Sequence, residues 1–205
     1  MAQDQPQIYL ITPPAFDLTE FTPRLAAVLD GAPIACLRLA LASRDEDRVA
    51  RAADACREIA HARDVPIVIE AHLGLVERLG LDGVHLPDGA RGVRAARKDL
   101  GADAIVGAYA HTSRHEGMNA AEAGADYVSF GPVGASALGD GQVAPHDLFE
   151  WWSQVIEVPV VAEGAFDPAL VESLAPVADF LAFGEEIWRE DDALAALNRL
   201  TAPLG

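Results

Sequence analysis

Two stretches far apart in the chain, Gly80-Leu81-Asp82-Gly83-Val84-His85-Leu86 and Gly124-Ala125-Asp126-Tyr127-Val128, share one design. Each has a glycine near a helix end, an acidic residue, and then a run of β-formers. A glycine there ends the helix at little steric cost, and an apolar strand following at once is one buried on both faces. The arrangement returns more faintly at Ala175-Pro176-Val177-Ala178-Asp179-Phe180-Leu181. A helix-turn-strand unit repeated along 205 residues points to the α/β class and to a single (β/α)8 TIM barrel spanning 1–205. Function is then expected at the carboxyl ends of the strands.

Half of the residues are apolar, enough for a sizeable core, and no apolar run reaches the ~18 residues of a membrane helix. The first residues carry no basic region followed by an apolar one, so no signal peptide is expected. With two cysteines, Cys36 and Cys56, a disulfide framework is not expected and the cytoplasm is the natural location. A net charge of −17 excludes a phosphate-backbone partner, so nucleic acid is not expected. The single lysine, Lys98, falls in a helical stretch, which argues against Schiff-base chemistry at a strand end.

Periodicity gives eight predicted strands: 7–11, 34–39, 66–69, 82–86, 104–108, 126–130, 159–162 and 179–183. Helical segments lie between them, as in the spacing of Val49, Ala53, Cys56 and Ile59. In a closed parallel barrel one strand parity faces the helices and the other the interior. Apolar residues on the helix side turn Leu37, Leu39, Val84, Leu86, Val106 and Ala108 outward. Cys36, Arg38, His85, Gly107 and Tyr109 then point inward. Arg38, Glu70, His85, Tyr109 and His111 are therefore expected to converge at the upper rim, since burying such groups unpaired is costly. Arg38 and Glu70 can serve a ligand or simply pair with each other, and His85 can be functional or a hydrogen-bonded filler of the interior.

Three motifs in order, Leu81-Asp82-Gly83-Val84-His85-Leu86, Val106-Gly107-Ala108-Tyr109-Ala110-His111-Thr112 and Gly124-Ala125-Asp126-Tyr127-Val128-Ser129-Phe130-Gly131-Pro132-Val133, make the chain resemble the thiamine-phosphate synthase and thiazole tautomerase family. The resemblance implies the barrel fold and a small-molecule substrate. It also implies a reaction joining a pyrimidine pyrophosphate to a thiazole phosphate, with Mg2+ helping pyrophosphate to leave. The tautomerase relative needs no metal. Several family positions differ here. The strand-two pattern Gln-Leu-Arg-x-Lys reads Cys36-Leu37-Arg38-Leu39-Ala40. The Asn-Asp after strand three is Glu70-Ala71, and the second metal-binding aspartate falls on Ala90, with Asp88 nearby. The Thr-x-Thr-Lys loop is Ser136-Ala137-Leu138-Gly139, and the tautomerase histidine is Pro132. Of the glycines implied to hold phosphate, Gly164 and Gly184 remain, while the partner of the first is Ala165 and Glu185 and Glu186 follow the second.

The candidate site is therefore Arg38, Glu70 and His85 for catalysis, Tyr109, His111 and Ser136 for substrate, and Gly164 and Gly184 for phosphate. No metal ligand is assigned, and Mg2+ is expected only if synthase activity is retained. Tyr109 stands where the family has a small hydroxyl residue and can fill space otherwise open to substrate. The expected function is that of a thiamine-phosphate-synthase-like protein of thiamine biosynthesis, a transferase if active. The alternatives are a repurposed or non-catalytic small-molecule-binding barrel and a metal-independent tautomerase or isomerase. A homodimer is compatible with the sequence.

Overall fold

The computed structural model describes residues 5–135 and 142–205. Eight parallel strands close in chain order into one barrel: β1 (Gln7–Ile11), β2 (Ile34–Leu39), β3 (Ile67–Glu70), β4 (Gly83–Leu86), β5 (Ile105–Tyr109), β6 (Tyr127–Phe130), β7 (Val160–Glu163) and β8 (Phe180–Phe183). Strands one and two match the sequence reading. The other six begin one residue later than expected, and β3, β5 and β7 also end one residue later. Among the described residues the outer layer is α1 (Leu18–Gly31), α2 (Glu46–His61), α3 (Leu73–Leu79), α4 (Val93–Leu100), α5 (Arg114–Ala123), α6 (His146–Val155), α7 (Pro168–Leu174), α8 (Glu185–Trp188) and α9 (Ala193–Thr201). No helix among them is long and apolar enough to cross a membrane.

The parity expected for the strands holds. Leu37, Leu39, Val84, Val106 and Ala108 belong to the large core between strands and helices. Tyr9, Cys36, Val68, Tyr127, Val161 and Ala182 form a separate cluster inside the barrel. Both cysteines are buried thiols, as expected, with burial pushing each pKa up to about 12. Phe130, Phe149 and Trp152 pack edge-to-face in the outer core, and Trp152 donates its indole N–H to the Val158 carbonyl at 2.7 Å.

The repeated acidic residue is a structural clasp. Asp82, Asp126 and Asp179 each stand just before an even-numbered strand. Their Oδ2 atoms accept from an N–H at the start of the preceding odd-numbered strand, that of the first residue at Ile67 and Val160 and of the second at Val106, each at 2.7 Å. N–H groups at a strand's start are not all met by neighbouring strands, and a carboxylate placed by the adjacent turn satisfies them. Gly80 and Gly124 end their helices in the left-handed conformation, at φ 65° and 104°, and direct the chain into that turn. The third repeat dispenses with glycine, since Ala175 at the end of α7 is still helical. Arg97 of α4 reaches Asp126 at 2.5 Å and the carbonyls of Gly124 and Ala104. Replacing Asp179 by Ala strands the N–H of fully buried Val160, and we expect a loss of about 1–2 kcal/mol in urea unfolding. Asp179→Asn, which keeps an acceptor, is expected to lose less.

Candidate functional site at the barrel mouth

Arg38 comes from the end of β2, Glu70 from the end of β3, His85 from β4 and Glu163 from the end of β7. Inward parity and barrel closure bring them together. The Arg38 guanidinium, 5% exposed, binds Glu163 through two parallel hydrogen bonds, Nη1 to Oε2 at 3.0 Å and Nη2 to Oε1 at 3.1 Å. Nη1 also donates to His85 Nε2 at 2.7 Å. Glu70 Oε2 lies 3.6 Å from Arg38 Nε, an ion pair without a hydrogen bond, and that buried Nε has no hydrogen-bond partner. Arg38 and Glu70, expected from the sequence either to serve a ligand or to pair with each other, thus make only a loose contact. Glu163 is the main partner, because it faces the guanidinium edge squarely from across the barrel.

Arginine has no acceptor, so His85 must offer Nε2 as a lone pair and carry its proton on Nδ1. Nδ1 then donates to Tyr127 Oη at 2.9 Å, and the Tyr127 and Tyr9 hydroxyls share a hydrogen bond of 2.8 Å. Tyr9 in turn is within hydrogen-bonding reach of Cys36, whose thiol lies 3.9 Å from the Leu37 carbonyl. One hydrogen-bonded chain therefore runs down the barrel interior from Arg38. Gly107 makes room for it, since a Cβ there would meet Tyr127 Cζ at 2.0 Å.

Charge follows from these neighbours. Burial opposes the Arg38 charge, but Glu163, assisted by Glu70, more than offsets it and raises the pKa. Burial lowers the His85 pKa well below its usual value, and the Arg38 charge lowers it further, so the ring is neutral. With Nε2 held by Arg38 and 1% exposure, His85 positions the arginine rather than meeting a ligand. Burial raises the pKa of Glu70; Arg38 lowers it and Glu163 raises it. Its side chain, 35% exposed, is the most accessible of these charged groups.

Tyr109 and His111 form a second group at the end of β5, with rings 4.4 Å apart, and Tyr109 donates to the Gly131 carbonyl at 2.7 Å. His111 lies between β5 and α5, and Ser113 caps α5 by accepting from the Glu116 N–H. Ser136 lies outside the described residues. Gly164 follows β7 at φ 90°, and its carbonyl accepts from the Val133 and Gly134 N–H groups. Ala165, where the family has a second glycine, is held at φ 58°, a conformation that glycine adopts without strain. Gly184 caps α8, but the Glu186 carboxylate turns back to it. Burial raises the pKa of Glu186, while backbone N–H groups of Glu186, Gly184 and Phe166 act in the opposite sense. The chain's own carboxylate thus sits where the resemblance implied a phosphate.

The sequence reading missed the roles of Glu163, Tyr127 and Tyr9. Their parity carried the signal, because Glu163 shares a face with inward Val161, and Tyr127 pairs in register with Gly107.

The chain is an eight-stranded parallel barrel with a cationic group, carboxylates and two aromatic side chains at its carboxyl end, the end at which barrels of this class carry their active sites. Residues 8–187 match the family model described as thiamine monophosphate synthase. The chain belongs to that family. It is 40% identical over 195 residues to a thiamine-phosphate synthase of Rhodospirillum centenum, covering 93% of each chain. It is 38% identical over 196 residues to that of Erythrobacter litoralis, covering 92% of this chain and 91% of the relative. Its fold superposes on a thiamine phosphate pyrophosphorylase from Pyrococcus furiosus with a TM-score of 0.83 at 19% identity, over 97% and 95% of the two chains. Thiamine biosynthesis is accordingly its functional setting.

The Mg2+ that the family implies finds a poor set of ligands here. Both Glu163 oxygens are taken by Arg38, and alanine stands at both expected aspartate positions, Ala71 and Ala90. Among the described residues no three His, Cys, Asp or Glu side chains are grouped to hold a metal ion.

Proposed function

We propose that the protein acts at the step joining a pyrimidine pyrophosphate to a thiazole phosphate, binding these precursors at the barrel mouth. The observation that carries this reading is the fixed Arg38 guanidinium, the residue of the family's strand-two pattern that survives, locked in place by His85 and Glu163 at the strand ends. In this reading the half-exposed Glu70 carboxylate accepts hydrogen bonds from a precursor ring. Tyr109 and His111 wall the β5 side, and the loops carrying Gly164 and Gly184 face the phosphate end. The bond between the rings forms as the carbon–oxygen bond to pyrophosphate breaks, and pyrophosphate leaves with the electron pair. No step is derived through a metal, because the donor set does not fit one.

Support for a small-molecule ligand, rather than nucleic acid, comes from the charge of −17. The two free cysteines suit a reducing cytoplasm.

A second reading, binding of a precursor without transfer, is favoured by one feature: Arg38 already has a carboxylate on its anion-binding edge. Incubating the protein with both precursors, with and without Mg2+, and following thiamine phosphate distinguishes the two. Product that depends on the protein supports transfer. Precursor binding seen as a thermal shift, without product, overturns transfer in favour of binding alone.

A further inference from the structure

Arg38 is the only cation among the fully buried side chains of the described residues. Planar guanidinium edges with parallel N–H groups fit carboxylate and phosphate equally well. Here that edge is filled, with Nη1 and Nη2 on the two oxygens of Glu163. The second Nη1 proton goes to His85, which blocks the guanidinium from pivoting to offer another pair. The remaining Nε edge faces Glu70 at 3.6 Å.

We propose that Glu163 is a specificity-determining residue: its carboxylate occupies the anion position on Arg38, so an anionic ligand group reaches that guanidinium only by displacing it. This rests on the reading that the mouth receives a phosphate-bearing precursor. The backbone of Glu163 is fixed, its carbonyl accepting from the Val133 N–H at 3.0 Å and lying close against Gly131. Displacement is therefore a rotation of the side chain and not a movement of β7. A ligand that presents hydrogen-bond donors instead meets Glu70 directly, with no displacement. The site accordingly favours the donor-rich ring of a precursor over its anionic tail at Arg38.

The test is a calorimetric titration of inorganic pyrophosphate into the full chain and into E163Q, E70Q and the double variant E163Q/R38M. E163Q is expected to bind about tenfold or more tightly than the wild type, because it frees the parallel N–H pair. E70Q removes an equal charge beside the same guanidinium without freeing that pair, and is expected to gain less than about threefold. The double variant is expected to lose the gain. Equal affinity in wild type and E163Q, an equal gain in E70Q, or a gain that survives loss of Arg38 each overturns the proposal. Should E163Q fail to fold, E163D, which keeps the charge but reaches less far, carries the same expectation, and wild-type affinity there overturns it. Because the readout is pyrophosphate binding, absence of thiamine phosphate formation overturns only the proposed transfer.

Discussion

Arg38→Met is expected to lower the unfolding free energy by about 3–5 kcal/mol, read from urea denaturation at neutral pH. The effect is large because the substitution removes one side of a buried pair. Glu163, held at 3.0 and 3.1 Å by two hydrogen bonds, would keep its charge inside the barrel with no cation facing it. Glu70 would lose the same neighbour, and His85 Nε2 would lose its donor. The remedy differs from the damage. Removing both charges with Arg38→Met and Glu163→Leu is expected to recover more than half of the loss, since a buried pair and an apolar replacement of similar volume are close in free energy. A single variant as stable as the wild type would mean that water reaches these carboxylates and that the mouth is far wetter than its burial indicates.

Acid is expected to destabilise the fold through His85. The imidazole of the unfolded chain takes a proton near pH 6.5, whereas burial, assisted by Arg38, keeps the folded ring neutral well below that. Below pH 6.5 the unfolded state therefore binds more protons. The contribution of the neutral ring is complete above that pH and is lost as pH falls toward the folded value, at about 1.4 kcal/mol per pH unit. Glu70 and Glu186 act in the opposite sense. Burial raises their pKa values, so what they contribute is present below the unfolded carboxylate range and lost as pH rises through their folded values. The histidine is read in the window between pH 6.5 and 5.5, just below the pKa of the unfolded imidazole, by comparison with a variant that lacks the ring. Denaturation across that window should show a slope in the wild type that His85→Asn flattens, and an unchanged slope in the variant would assign the acid sensitivity elsewhere.

Strand parity was the most informative local signal at the site. Arg38, Glu70 and His85 could be placed together because alternation in β2, β3 and β4 leaves them no outward course once Leu37, Leu39 and Val84 face the helices. The same rule applied to β6 and β7 points Tyr127 and Glu163 inward. Parity alone does not say that Glu163, 125 residues from Arg38 along the chain, lies at the height of the guanidinium. That height depends on the stagger of all eight strands around the closed barrel, which no short stretch encodes. Family comparison likewise marked Gly184 and Glu186 as a departure at the phosphate end, but not that the Glu186 carboxylate is buried there with Oε1 lacking a hydrogen-bond partner.

The glycine-acid-strand repeat determined the barrel by itself. Helix ends, turns and strand starts are local, and Gly80, Gly124 and the three aspartates act on residues within one βα unit or its neighbour. Alternation determined which side chains enter the interior. The tertiary structure alone decided how those side chains pair. It set Glu163 rather than Glu70 on the guanidinium, fixed the His85 tautomer, and joined His85 to two tyrosines in one hydrogen-bonded chain. The physical reason is that hydrogen bonds and ion pairs are settled within a few tenths of an ångström, and inside a barrel those distances come from closure of the whole sheet.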